Sequence, residues 1–357
     1  MNWPAQGKFG VGRGKVRWLG AVGLHPVSKL VFQGNEVMLR DTTYLIPISA
    51  PASDMGQGEE VKADNSCNTA LSGAVIEECS ASAVIGMPHM AFGGLSENWL
   101  LRAIGENHWN ASARCFGLKH PDFRDQSSRR LYASFVAVRL RELSLSEVRE
   151  FDDLKVTYRL SRVADAQLAS KQELRCNGRS VGSAEMLSSF MTRKIEGCNR
   201  TVERGKIVRT GNEATEMASV KSELRENFRL MRADSWTSHL GFFRDNRKAL
   251  ERFRVRPCPN NDFNGARFLY FANFQSLVDR AEWEWFGQCS PLYSTVSRDL
   301  FYHGNINLGE NVTVYMQGFR HSDQELAHWC EVIRDEDGAR LANIFTKKKP
   351  LGGLNGS

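Results

Sequence analysis

The chain has 357 residues, 41% of them apolar and 25% charged, enough to bury a full core in two domains or in one domain of duplicated halves. No apolar run approaches the roughly 18 to 20 residues that span a bilayer, and MNWPAQGKFGVGRGK lacks the apolar core of a secretory signal, so a cytoplasmic protein is expected. The formal charge of +6 is not gathered into a stripe interleaved with aromatics; nucleic-acid binding is set aside, while an acidic partner protein or a polyanionic cofactor stays compatible.

Residues 1–80 read as an N-terminal extension, Gly-rich at first and then without sustained periodicity. Its GKFGVGRGKV run lacks the spacing and the hydroxyl residue of a phosphate-binding loop and reads as a flexible basic stretch. Residues 81–200 form a first half. There GMPHMAFGGLSENWLLRAIGENHW, Gly86 to Trp109, is a Pro/Gly loop running into a helix with Ser96 as its cap and Leu95, Trp99, Leu100, Ala103 and Ile104 on one side. SRRLYASFVAVRLREL and FDDLKVTYRLSRV follow with strand character. Residues 201–256 are a charged connector with some strand. Residues 257–357 repeat the first half: the loop CPNNDFNG, the helix ARFLYFANFQSLVDRAEWEW, then strands in SRDLFYHGNINLGENVTVYMQGF and HWCEVIRDEDGARLANIFTKK. The basic run Lys347 to Lys349 reads as a solvated tail, or as a contact for phosphates or an acidic carrier. Two long apolar helices, each followed by hairpin-connected strands, predict an α+β chain in which antiparallel sheets wrap two helices. The eight cysteines have no CxxC or zinc-like spacing, so no metal site is expected.

This arrangement resembles a double hot-dog protein. DFNGARFLYFANF resembles the Asp-x-x-Gly-x-x-x-x-Tyr motif of 4-hydroxybenzoyl-CoA-type thioesterases, with Asp262, Gly265 and Tyr270 in the matching places. GMPHMAFGGLSENWLLRAIGENHW, RRLYASFVAVRL, DFNGARFLYFANFQSLVDRAEW and FYHGNINLGENV together resemble the leinamycin-pathway acyltransferase/decarboxylase family of polyketide biosynthesis, over roughly residues 83–345. The resemblance implies an enzyme that decarboxylates methylmalonyl-CoA and delivers the propionyl group to the phosphopantetheine arm of an acyl carrier protein. It implies no metal or redox cofactor, the CoA thioester being the substrate. The acyl-carrying tyrosine of that family corresponds to Tyr132 in RLYASF. A hot-dog thioesterase, a hydroxyacyl dehydratase and a non-catalytic carrier-binding protein are the rival expectations. A homodimer remains open.

Decarboxylation of a malonyl thioester develops negative charge on the thioester oxygen, so the site must offer preorganised donors there. Helix starts supply them. Gly93, Gly94 and Gly265 would let a substrate approach free backbone N–H groups, or else simply make the turns into the helices. The two helix starts are expected to converge on one thioester. Tyr132 would act as nucleophile with Arg129 or Arg130 nearby, would hydrogen-bond the enolate, or would be an ordinary half-buried tyrosine. Asp262 reads as a base or nucleophile, or as a turn cap; Asn264 and Asn273 would position the carboxylate or the pantetheine arm. His89, in the H-x-x-x-G form of hot-dog dehydratases, would remove an α-proton unless it is an ordinary loop histidine. His303, at a strand end, poses the same choice.

Overall fold

Among the described residues, alternating apolar and polar side chains form strands that assemble into a continuous 13-stranded sheet. The computed structural model describes residues 30–33, 36–39, 67–68, 75–207, 221–287 and 292–351. By backbone contacts the chain divides into residues 1–60 and 61–357. In the first unit an antiparallel hairpin pairs Leu30–Gln33 with Glu36–Leu39. The GKFGVGRGKV run lies outside the described residues. All that follows concerns the second unit.

Its first half runs β1 (Val75–Val84), α1 (Glu97–Cys115), β2 (Arg130–Arg141), β3 (Asp153–Ala164), β4 (Gln167–Cys176) and β5 (Arg179–Arg193). After α2 (Glu223–Arg232) the second half repeats the order with β6 (Glu251–Val255), α3 (Phe271–Phe286), β7 (Tyr293–Tyr302), β8 (Val312–His321), β9 (Leu326–Arg334) and β10 (Arg340–Pro350). The main strands line up as β6-β8-β9-β10-β7-β2-β5-β4-β3-β1. Each half is therefore ordered first, third, fourth, fifth, second, and the halves join where β2 pairs antiparallel with β7, Leu140 opposite Arg298 and Ala137 opposite Phe301. Both halves recruit a strand from sequence assigned elsewhere at first reading: β1 begins at Val75, inside the stretch read as an extension, and β6 lies in the connector.

Side-chain alternation gives the sheet two apolar faces. Phe135, Val138, Leu140, Met186, Leu300 and Ile344 join α1 and α3 in the main core. Val136, Ala137, Leu187, Phe301 and Phe345 point the other way, into a second core. That outer face is covered by α2, which was not foreseen. Its Leu224, Phe228 and Met231 recur at helical spacing and are buried, each contributing about 1.5–3 kcal/mol over exposure. Ser222 caps it by accepting from Arg225 N at 3.3 Å, and acidic residues at its start and basic ones at its end suit the helix dipole. Beyond α2, His239 is fastened to the sheet through Asp299, 2.7 Å from its Nε2. Asp299 also accepts from Arg141 at 2.8 Å. Burial opposes its charge, but the hydrogen bonds from His239 and Arg141 hold its pKa below the usual carboxylate range.

The two core helices cross antiparallel. Asn98, near the start of α1, donates to Ser276 Oγ at 2.9 Å in the second turn of α3. Gly105, two turns into α1, lies against Phe271, the first residue of α3; a Cβ there would sit 2.7 Å from Phe271 Cζ. Eight residues of α1 separate Glu97 from Gly105, about 12 Å of axial rise. The helix starts therefore pass one another, and each opens on its own cavity, instead of converging on one thioester. The Lys347–Lys349 run is also not a tail: it lies within β10, and Lys348 is buried.

Candidate functional site

The cavity of about 440 Å³ at the start of α3 is built by both halves. The beginning of β2 forms one wall and the Asn264–Phe271 loop another, while the end of β7 and the start of β10 close it. The loop is held by side-chain amides. Asn264 Oδ1 accepts from Ala266 N at 3.1 Å and Phe268 N at 3.0 Å, an Asx-type turn, while Arg267 takes φ +61°. Asn305 accepts from Leu269 N at 2.9 Å and donates to Leu269 O at 3.0 Å. Asn199 donates to the carbonyls of Arg267 and Ile306, both at 2.6 Å. This pinning delays the helix until Phe271, five residues later than its apolar pattern suggests, and Gly265 sits in the loop with open space around its Cα. Tyr270, the N-cap residue of α3, provides no side-chain cap, so the first turn keeps N–H groups for another acceptor.

Tyr132 stands on β2 opposite Met191 of β5. Its hydroxyl accepts a hydrogen bond from Arg193 Nη1 at 3.1 Å. Arg193 also lies 3.9 Å from the Phe268 ring centroid and donates to the Ala266 carbonyl, tying the tyrosine to the Asn264–Phe271 loop. Phe268 meets Tyr132 edge to face at 5.1 Å. The local cations named from sequence are placed differently. Arg129 pairs with Asp125 at 2.7 Å, whereas Arg130 lies over the Tyr132 ring, 5.6 Å from its centroid.

His303 lines the same cavity. Trp329 Nε1 donates to Asn343 Oδ1 at 3.1 Å, so the amide of Asn343 turns its NH2 to His303 Nε2 at 3.2 Å. That nitrogen must accept, which leaves the ring proton on Nδ1, a buried donor with no protein partner. Burial, reinforced by Arg340 and Arg232, pushes the His303 pKa down to about 3, so the ring is neutral near pH 7. Tyr270 also lines the cavity, with Arg102 5.1 Å from its ring centroid; burial raises its pKa to about 12 and keeps the phenol protonated. The lining includes Arg130, Arg200, Arg232, Arg334 and Arg340, and no Asp or Glu.

Tyr132, Asn264, Tyr270 and His303 thus meet at one cavity. The other residues named from sequence are placed elsewhere. Asp262 is 2% exposed and accepts from Cys258 N at 2.7 Å, the bond of a turn cap, outside the cavity lining. Asn273 bridges the helices, accepting from Asn98 at 3.0 Å and Arg102 at 3.1 Å and donating to Asn261 O at 2.9 Å. His89 accepts from Gly86 N at 3.0 Å and stacks on Trp99 at 4.5 Å. Gly93 and Gly94 border a separate cavity at the start of α1. There Gly94 has φ +131° and any Cβ would collide with the Leu145 carbonyl, so backbone packing accounts for that glycine. Ser96 caps α1 as expected, accepting from Trp99 N at 3.3 Å. Arg193, Asn199 and Asn305 were missed. Only Asn305 left a trace, in the turn-rich GNINLGEN; nothing in the alternation of β5 distinguishes Arg193 from a surface cation.

No helix among the described residues is long and apolar enough to cross a membrane. Neither a protein-family model nor a curated protein sequence matches the chain. Solved structures are similar across most of it, two of them as follows. A Lactobacillus plantarum protein assigned as an oleoyl thioesterase covers 77% of this chain and 97% of its own length, at TM-score 0.56 and 12% identity. The 12:0-ACP thioesterase of Umbellularia californica covers 76% of this chain and 97% of its own length, at TM-score 0.54 and 12% identity. The repeated strand order, the two enclosed helices and these likenesses establish an α+β double hot-dog fold.

Proposed function

We propose that this chain is an acyl-thioester enzyme that cleaves its substrate in the Tyr132 cavity, the acyl group arriving on CoA or on an acyl carrier protein. The observation that carries the reading is the Tyr132 hydroxyl, bonded to Arg193 at 3.1 Å beside the uncapped start of α3. Attack on a thioester carbonyl moves negative charge onto its oxygen, and the first-turn N–H groups of α3 and the His303 Nδ1–H are neutral, preorganised donors for it. The aromatic walls suit an acyl chain, and the similar Lactobacillus and Umbellularia proteins are thioesterases by name, the latter acting on an acyl-ACP.

A second reading, decarboxylation of a (methyl)malonyl thioester with transfer to a carrier protein, is favoured by Arg130 and Arg232 on a lining that holds no carboxylate among the described residues, Arg200, Arg334 and Arg340 being paired with Glu310, Asp337 and Asp234. Loss of carbon dioxide needs no base. The C–C bond breaks, the electrons reach the thioester oxygen as an enolate, and the same donors stabilise it until carbon takes up a proton from water. The resulting acyl group then passes to the carrier thiol as its C–S bond to CoA breaks and CoA leaves with the thiol's proton, with Tyr132 as acyl carrier or as enolate donor.

Mass spectrometry separates the two. The enzyme is incubated with acyl-CoA and acyl-carrier substrates, and with methylmalonyl-CoA plus carrier protein. Free acid supports cleavage, and a propionylated carrier supports the second reading. Unchanged substrates in every arm would remove both. Tyr132→Phe tests the residue: wild-type rates would show that the phenol takes no part.

A further inference from the structure

We infer that the loop between β1 and α1 and the loop between β2 and β3 form a dimerisation surface, on which a second copy of this chain seats about a two-fold axis. The inference is independent of the acyl-thioester reading above. Val84 is 60%, Met87 74%, Phe92 82% and Phe151 81% exposed. They stand on two loops bound to each other. Phe151 N donates to Ile85 O at 2.6 Å, Ile85 N donates to Asp152 O at 2.9 Å, and Val84 lies opposite Asp153 where β1 pairs with β3. Farther along, Gly94 packs so closely on the second loop that a Cβ there would lie 2.7 Å from Ser146 Cα.

The second half shows how such loops are closed within the chain. Its counterparts, residues 256–270 and 303–311, are held by the turn after β5. Asn199 donates to the Arg267 and Ile306 carbonyls, its backbone N–H donates to Asn307 Oδ1 at 2.7 Å, and Arg200 donates to Glu310 at 2.8 Å. In the first half the corresponding step after β10 brings Leu351 against Gly93, and the four apolar side chains stay uncovered among the described residues. Phe151 carries a further cost. Its φ of +69° is a conformation that an aromatic residue rarely adopts and that glycine or asparagine would accept. Strain at an exposed ring points to a contact outside the monomer.

Size and charge select the occupant. The four residues leave about 500 Å² uncovered, over half of the roughly 800 Å² that each partner buries in a stable interface. Residues 84–95 hold no Asp, Glu, Lys or Arg. Around them the charge is even: residues 147–155 carry four acids and two bases, and Arg175 and Arg179 add two bases on the hairpin whose Asn177 bonds Asp152 at 2.7 Å. An acidic carrier protein or an anionic bilayer would select a net positive rim. An apolar centre ringed by equal numbers of both signs suits an identical surface, because a two-fold can set its acids against the partner's bases. Phe92 lies between Ala91 and Gly93, which line the cavity at the start of α1, so the second copy stands at the mouth of that cavity.

The test is sedimentation velocity of the full chain over a wide range of concentration, for the wild type, the double variant Phe92→Ser with Phe151→Asn, and Met87→Lys, with melting curves for each. Asparagine accepts the positive φ at residue 151. Met87→Lys puts a charge into the apolar centre and supplies the readout if the double variant fails to fold. The expected result is a wild-type dimer whose dissociation constant rises about 100-fold or more in either variant. A chain that is monomeric at every concentration overturns the inference, and so does a dimer that persists unchanged in both variants. Pelleting of the wild type, but not of the variants, with phosphatidylserine-containing vesicles would overturn it as well and assign the patch to a lipid surface. Thioester cleavage is read separately, so its absence leaves the dimer result standing.

Discussion

Where α3 begins, the protein surrounds the helix start with aromatic rings, arginines and the Tyr132 phenol; where α1 begins, it buries a chain of charges from Glu97 through Arg298 and Asp279 to Lys348 and Glu282. The backbones of the two halves follow the same strand order, so topology does not account for the difference. Strand positions do. Arg298 on β7 projects toward the core directly opposite Leu140 of β2, and the join of the halves is therefore ionic on one strand and apolar on the other. A duplicated fold supplies two comparable places for chemistry, and the side chains at the strand starts decide what each can do.

The largest expected effect falls on the ionic side. Asp279→Ala deprives buried Arg298 and Lys348 of their shared carboxylate and should cost about 3–5 kcal/mol, read as the unfolding free energy in urea. A loss below 1 kcal/mol would mean that water reaches this layer and that the two sides differ less than their burial indicates. The aromatic side should respond in rate and not in stability. Tyr132→Phe removes one half-buried hydroxyl and should leave the melting temperature within a few degrees while lowering turnover at that cavity about 100-fold, or about 2.7 kcal/mol in activation free energy.

Acid should act on both halves, through a buried neutral histidine in each. His108 of α1 is fully buried between Ser170 and Ser188, each 2.8 Å from a ring nitrogen, and burial lowers its pKa to about 3. The folded state thus binds fewer protons than the unfolded chain, whose histidine titrates near pH 6.5. The contribution is complete above about pH 6.5 and disappears as pH falls toward 3, by about 1.4 kcal/mol per unit. Asp299 is a carboxylate with a depressed pKa; its share is present above about pH 4 and is lost only below it. A stability profile from pH 7 to 3 should therefore slope first through the histidine window, where His303, its pKa also lowered to about 3, contributes alongside His108, so His108→Gln should remove only its own share of that slope. The smallest effect is expected at the cap of α1. Ser96→Ala removes a single 3.3 Å bond and should cost roughly 0.5–1 kcal/mol, with no counterpart at α3, whose first turn has no side-chain cap to lose.

Several of these features are readable in the sequence alone. The Ser96 cap followed by Trp99, Leu100, Ala103 and Ile104 is a local pattern, and local hydrogen bonding decides it. The start of α3 was misplaced because FLYF continues the apolar rhythm backwards, while Asn199 and Asn305, both distant in sequence, bond to Arg267 and Leu269 and hold that stretch out of the helix. Asp262 carries a motif position but spends its carboxylate on Cys258 N, a bond that depends on how the short turn Pro259–Asp262 packs. The α2 helix could have been found from Ser222 and the spacing of Leu224, Phe228 and Met231, but its charge density hid the stripe. Arg193 could not have been found, since nothing local marks which strand cation will meet a tyrosine 61 residues away.

The sequence by itself determined two sheet-wrapped helices and their repeated order, because hydrophobic period, caps and turns act over a few residues and survive any change of neighbours. Only the tertiary structure decided that the helix starts diverge, that Arg193 reaches Tyr132, and that Lys348 lies buried in a charge layer and not in a tail. Those outcomes depend on how segments sixty or more residues apart pair and pack, as Tyr132 of β2 with Arg193 of β5 and Asp279 of α3 with Lys348 of β10, and a one-residue slip of either strand would turn its side chain to the opposite face.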